Sequence, residues 1–317
     1  MIPVKREFED KPNTHKGIKP MTSFRLLNYA GIEGEPRPGI VVGDSVIDLS
    51  SAGMSGSTYE MLQNWDANHE KLVKIAGDAE LHEQYPLSDT DLLAPILYPP
   101  IVYNAAANYI DHQKEMSGGK QLVKEDTHPY FFLKAGPHCI IGPGADIRLP
   151  AVSDFIDWEA ELAVVIGKPA RNIKAKNASQ YIAGYTIFND LSARDMKPVG
   201  RTFNVHWFAH KNFDGSGPMG PWMVPASDIP DPHNLDIKLW LNDELKQDSN
   251  SKYLFFNIFE QIEYISARMT MRPGDIIATG TPSGVGAPYG GRLKPGDTVT
   301  IEIGGIGKLV NPVVQGD

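Results

Sequence analysis

The sequence predicts an α+β protein that is mostly β, and three observations carry that prediction. Short apolar, β-rich runs recur at residues 130–134, 160–167, 181–190, 235–242, 275–280 and 298–303, each of strand length. Glycine and proline together supply 30 and 25 of the 317 residues and are spread along the chain, which suits many strands joined by turns. Helical periodicity is confined to a few stretches, the clearest being 254–269, where Phe255, Ile258, Phe259, Ile262 and Ile265 form one apolar stripe.

In chain order, residues 1–20 read as a flexible arm. Pattern begins at Phe24, and residues 39–49 read as a strand, a Gly43-Asp44 turn and a returning strand. Residues 58–77 carry Met61, Leu62, Trp65, Leu72, Val73 and Ile75 at near-helical spacing, consistent with one or two helices. These elements compose a small N-terminal α+β domain at 21–95. The Pro-rich stretch 94–100 is the expected linker, and 96–317 the larger domain. Within it, Pro273-Gly274-Asp275 and Pro295-Gly296-Asp297 are turn signals that each feed a strand.

Composition narrows the function. With 41% hydrophobic and 22% charged residues, the chain is neither a disordered tail nor a membrane protein. No apolar run approaches the ~20 residues of a spanning helix, and the charged N-terminus lacks a signal-peptide core, so the cytoplasm is the expected compartment. An excess of 39 acidic over 30 basic residues, net -9, argues against a nucleic-acid partner. Cys139 is the one cysteine, so no internal disulfide forms; His138 adjoins it in sequence, which is not proximity in space.

Three stretches carry candidate chemistry. In 156–167, strand alternation puts Asp157, Glu159 and Glu161 on one face, with Trp158, Ala160, Leu162 and Val164 on the other. Carboxylates roughly 7 Å apart repel if buried, so this is either a solvated strand end or a site for a divalent cation. Asp190, ending the apolar run 185–190, is the candidate third ligand, and an all-oxygen set favours Mg²⁺ or Mn²⁺ over zinc. In 108–116, His112 and Glu115 are i and i+3 on a helical turn, either a general-base pair or an incidental surface pair. Residues 279–286, Thr-Gly-Thr-Pro-Ser-Gly-Val-Gly, either cradle a carboxylate or form a tight loop; they lack a phosphate-loop ending and dinucleotide-binding spacing.

Taken together and in order, these segments resemble the fumarylacetoacetate hydrolase family. The likeness runs through 108–115, 157–167, 188–195 (Phe-Asn-Asp-Leu-Ser-Ala-Arg-Asp), 211–222 and 273–286, covering roughly residues 95–311. It implies a mixed β-sandwich roll, a homodimer, and Mg²⁺ or Mn²⁺ on Glu159, Glu161 and Asp190. It further implies a catalytic His112–Glu115 dyad on a segment that closes over substrate, with Lys211 beside the metal. Thr281 is placed at the substrate carboxylate, and Tyr109, Arg194 and Lys197 among the substrate contacts. Asp157 shares the strand face but has no counterpart as a ligand. Two departures bear on substrate choice: His138-Cys139 replaces a common serine pair, and Lys197 a common glutamine.

The activity this implies is hydrolysis of a carbon–carbon bond in a small 2,4-dioxo acid of acylpyruvate type. Water activated by His112 attacks the distal carbonyl, Lys211 stabilises the developing charge, and an enolate held by the cation leaves. Isomerisation or decarboxylation of a 2-oxo or 2-hydroxy-dienoic dicarboxylic acid would use the same site. From another class, a non-catalytic metal- or ligand-binding protein would keep the cluster without turnover.

Overall fold

The computed structural model describes residues 23–119, 122–196 and 205–316. The expected arm at 1–20 and Lys197 lie outside the described residues. Strand outweighs helix and the sheets are mixed, so the protein is α+β and mostly β. Among the described residues, no helix is long and apolar enough to cross a membrane.

The long sheet has the neighbour order Gln84–Pro86, Ser45–Asp48, Pro36–Val42, Arg25–Ala30, Gly217–Pro225, Ile182–Asn189, Ala160–Ile166, Ile276–Ala278, Val102–Ala105 and Phe131–Lys134. A second sheet has the order Glu244–Asn250, Asp236–Leu241, Thr298–Ile303, Gly307–Gln315 and Ile147–Leu149. Most pairs are antiparallel, but Ile276–Ala278 runs parallel to Val102–Ala105, and Gly307–Gln315 to Ile147–Leu149.

Local chemistry explains the boundaries. Pro36–Val42 and Ser45–Asp48 close around Gly43, whose φ of 61° is left-handed and costs glycine little. The periodicity at 58–77 resolves into two helices, Thr58–Leu62 and Trp65–Gly77, the first opened by a Ser57–Glu60 capping box. The helix expected from 254 is Ile258–Arg268, because Asn257 and Glu260 form the cap there. The backbone N–H groups of Phe255 and Phe256 instead bond the Asn108 carbonyl and Oδ1, both before the helix begins. Gly217–Pro225 was not legible as a strand because it contains Pro218, Pro221 and Pro225; it nevertheless joins Ile182–Asn189 in an irregular register.

Ala160–Ile166 is buried on both faces, which is why it reads as a continuous apolar run. Ala160, Leu162, Val164 and Ile166 pack in the larger core with Ile237, Leu239, Val299 and Ile301 of the second sheet. Ala163 and Val165 enter a different core with Phe24, Ile40, Leu72 and Met219. At its start the strand is interrupted. Ile156–Asp157 pairs separately with Ser192–Ala193, the Trp158 indole N–H reaches the Gly284 carbonyl at 3.1 Å, and the Asp157 carboxylate accepts from the Gly286 and Ala287 N–H groups. The strand pairing therefore breaks between Asp157 and Ala160, and the Asp157 carboxylate, held by loop N–H groups and Arg194, stays outside the acidic cluster that follows.

Candidate active site

Strand pairing assembles three carboxylates. Ala160 lies opposite Asn189 and Glu161 opposite Phe188, so Asp190, just past the partner strand, meets Glu159, whose carbonyl accepts the Asp190 N–H at 2.9 Å. Glu159, Glu161 and Asp190 are all buried, and each presents an oxygen within 4.8 Å of the others'. Sidedness within Ala160–Ile166 aims Glu161 with Ala163 and Val165, away from the core that takes Leu162.

Cations surround two of the three. Lys211 Nζ donates to Glu159 Oε2 at 2.9 Å and to Asp190 Oδ2 at 2.7 Å. Arg194 donates from Nη2 to Glu159 Oε1 at 2.7 Å and from Nε to Asp157 Oδ2 at 2.8 Å, and Ser192 Oγ also donates to Glu159 at 2.9 Å. Burial alone would raise the Glu159 carboxyl, but Lys211 and Arg194 outweigh it and hold that group well below the usual range. Glu161 makes no ion pair among the described residues: its hydrogen bond comes from the Gly280 N–H at 2.8 Å, and Lys211 acts on it only at longer range. Burial, then the Asp190 and Glu159 charges, push Glu161 well above the usual range.

The donor set therefore fits a divalent cation. Among the described residues, four buried carboxyl groups, Asp157, Glu159, Glu161 and Asp190, are set against three cationic side chains, Lys134, Arg194 and Lys211, so ionising Glu161 leaves a negative charge for a metal ion to neutralise. Asp190 Oδ1 is buried and accepts no hydrogen bond among the described residues, although Lys134 Nζ stands 3.1 Å away. All three candidate ligands are oxygens, as hard divalent cations require.

Above this cluster, Ile110–Ser117 carries His112 and Glu115. His112 Nδ1 lies 3.0 Å from Glu115 Oε2, and both side chains are nearly buried. An ionised carboxylate has no proton to give, so Nδ1 carries the hydrogen of this contact, and in the neutral ring the lone pair falls on Nε2. Burial opposes ionisation of Glu115, but His112 and the Gly284 N–H, 2.9 Å from Oε1, hold its carboxyl below the usual range. Ser283 Oγ donates to Asp111 at 3.0 Å, a second tie between this helix and loop 279–286.

The remaining expected residues are distributed as follows. Tyr109 is fully buried, its hydroxyl has no partner among the described residues, and burial followed by Glu161 and Asp111 raises its pKa. Two Arg194 donors are engaged by protein carboxylates. The Thr281 hydroxyl hydrogen goes to the Ala160 carbonyl at 3.0 Å, so a substrate carboxylate there would meet backbone N–H rather than this O–H. Cys139 is buried with Sγ 3.7 Å from Asn212 Oδ1.

Sequence reasoning missed Lys134, because a lysine ending the run 130–134 looks like a solvated strand terminus. It is fully buried and donates to the carbonyls of Leu191 at 3.0 Å and Lys211 at 2.5 Å, bracing both segments beside Asp190. Lys134→Met should cost about 2–4 kcal/mol of stability, since it leaves two buried carbonyls without their donor while Asp190 keeps Lys211. Urea denaturation checks this; a loss under 1 kcal/mol would mean the ammonium is dispensable.

A buried three-carboxylate cluster braced by lysines is the donor set of a divalent-metal site, and a His–Glu pair is tied to the loop beside it. Residues 101–314 match the family model described as fumarylacetoacetate (FAA) hydrolase C-terminal, and the chain belongs to the fumarylacetoacetate hydrolase family. It is 37% identical over 314 residues to oxaloacetate tautomerase fahd2, mitochondrial, of Xenopus laevis, covering 96% of this chain and 94% of that protein. Maleylpyruvate hydrolase from Sphingobium sp. SYK-6, solved with manganese(II) and pyruvate, superposes with TM-score 0.75 at 31% identity, covering 92% of this chain and 100% of that one. The 2-hydroxyhepta-2,4-diene-1,7-dioate isomerase of Mycobacterium marinum superposes with TM-score 0.69 at 32% identity, over 92% and 99% of the two chains. The family thus spans hydrolases, isomerases and tautomerases, and the acidic triad with the manganese-bound neighbour marks a divalent-metal site.

Proposed function

We propose that the protein acts on small 2-oxo acids bearing a second carbonyl, with Mg²⁺ or Mn²⁺ held by Glu159, Glu161 and Asp190. The observation that supports this reading is the His112–Glu115 pair, held by Gly284 of the same loop whose Gly280 N–H meets Glu161. The cation, when bound, would polarise the oxygens of the 2-oxo carboxylate and stabilise negative charge developing beside them. Lys211, by donating to both Glu159 and Asp190, fixes the two carboxylates in direction and favours the ionised form of Glu159. His112 Nε2 takes the proton, Glu115 stabilises the imidazolium through Nδ1, and loop 279–286 offers backbone N–H groups to the substrate carboxylate.

Where the proton comes from water, the reaction is carbon–carbon hydrolysis of a 2,4-dioxo acid with release of pyruvate. A second reading is favoured by the Xenopus relative, named an oxaloacetate tautomerase: His112 would move a proton between C3 and the enol oxygen, consuming no water. Purified protein with Mg²⁺ or Mn²⁺ and a panel of acylpyruvates and oxaloacetate separates these, by pyruvate release or by accelerated decay of enol absorbance. A metal that raises the melting temperature with neither activity would establish a binding protein instead. Exposed Tyr130, Leu133 and Phe208 beside the edge strand Phe131–Lys134 support a homodimer, which sedimentation checks.

A further inference from the structure

We propose that Gln247 is a positioning residue that joins the ligand-bearing strand to the loop that receives the substrate; the inference rests on the reading of the site just given. Gln247 lies on Glu244–Asn250 of the second sheet, on the far side of the larger core from the long sheet. Its side chain is fully buried yet wholly polar, a placement that requires every amide group to be used.

All of its bonds go to the two halves of the site. Oε1 accepts from the Ala160 N–H at 2.9 Å, and Ala160 is the residue between Glu159 and Glu161. Nε2 donates to Thr281 Oγ1 at 2.9 Å and to the Pro282 carbonyl at 2.8 Å. Thr281 Oγ1 in turn donates to the Ala160 carbonyl at 3.0 Å, so the residue between the two glutamates is gripped at both its N–H and its C=O. A single amide thereby sets the spacing of Glu159 and Glu161 and the height of the loop above them.

An independent contact puts the loop on the same strand. Gly284 has φ +98°, and a Cβ there would stand 1.9 Å from the Lys246 carbonyl oxygen, so the loop backbone rests directly on the residue before Gln247. Gly284 is also the residue whose N–H holds Glu115 and whose carbonyl holds Trp158. The strand Glu244–Asn250 is thus the common seat of the dyad's anchor, the substrate loop and the peptide between the ligands, although it contributes no group that touches the reacting atoms.

Gln247→Leu keeps the volume and removes all three bonds. The expected result is a Mn²⁺ dissociation constant raised about ten-fold by titration calorimetry, as for other residues that orient ligands. For the 2-oxo acid that wild type turns over, KM should rise about ten-fold while kcat changes less than three-fold, because His112 and Glu115 are untouched. Asn28→Leu is the control for lost buried bonds, since Asn28 Nδ2 donates to Thr58 Oγ1, Ala94 O and Pro95 O in the N-terminal part. It should lower the melting temperature and leave both constants alone. If Gln247→Leu lowers the melting temperature while its Mn²⁺ affinity and KM stay within two-fold of wild type, the residue is merely structural and the proposal is wrong. Should that variant not fold, Thr281→Val, which removes only the hydroxyl between Gln247 and Ala160, carries the same expectation at about three-fold, and no change would overturn it. Absence of turnover by wild type would sink the functional reading alone, because the Mn²⁺ arm still decides the coupling.

Discussion

Glu161→Gln should weaken Mn²⁺ binding by at least about 100-fold and abolish turnover, yet leave the metal-free protein at pH 7 no less stable than wild type. The two effects diverge because Glu161, among the described residues, makes no ion pair and is buried beside Asp190 and Glu159. Its folded pKa lies above its unfolded value, so the stabilisation it provides is complete below the ordinary glutamate range. That stabilisation is lost as pH rises through the raised folded value. Wild-type protein without metal should therefore lose stability above that range, and the glutamine variant should lose less. Thermal melts from pH 4 to 8, with and without Mn²⁺, measure both; a variant less stable than wild type at pH 7 without metal would show that the charge is already compensated.

Replacing His112 by Gln should cut hydrolysis by about 10²–10⁴, the usual contribution of a positioned general base. Because Glu159, Glu161 and Asp190 keep their mutual distances, Mn²⁺ affinity should change less than three-fold. Metal-assisted decarboxylation of oxaloacetate, which requires no deprotonated water, should persist at near wild-type rate. Parallel assays on one preparation make the comparison; an equal loss of both activities would mean that His112 acts in a step common to them, as tautomerisation requires.

The cluster was legible where strand periodicity survives. Glu159 and Glu161 alternate with apolar residues inside a buried strand, and Asp190 ends its hydrogen-bonded neighbour, so side-chain direction follows from local pattern. Asp157 obeyed the same pattern on paper but lies beyond the interruption at Trp158, which tertiary contacts to Gly284 and Gly286 impose. The pairing of His112 with Glu115 follows from helical spacing, whereas the tie of that helix to Gly284 joins residues 169 apart. Lys134 and Gln247 stayed hidden for one reason: each reads as an ordinary polar strand residue until a second layer closes over it. In the fold, the strands of proline-containing Gly217–Pro225 and polar Glu244–Asn250 carry too little apolar alternation to be recognised alone.

The strand Ala160–Ile166, enclosed by one core on each face, makes the two halves of the site unequal in time as well as in composition. Amides there should exchange with solvent only on global opening, whereas the short helix Ile110–Ser117, fastened to loop 279–286 by two side-chain bonds, should open at lower cost. The residence time of an acid bound as proposed should then follow the eight-residue helix rather than the floor of ligands, which hydrogen exchange with and without a 2-oxo acid checks.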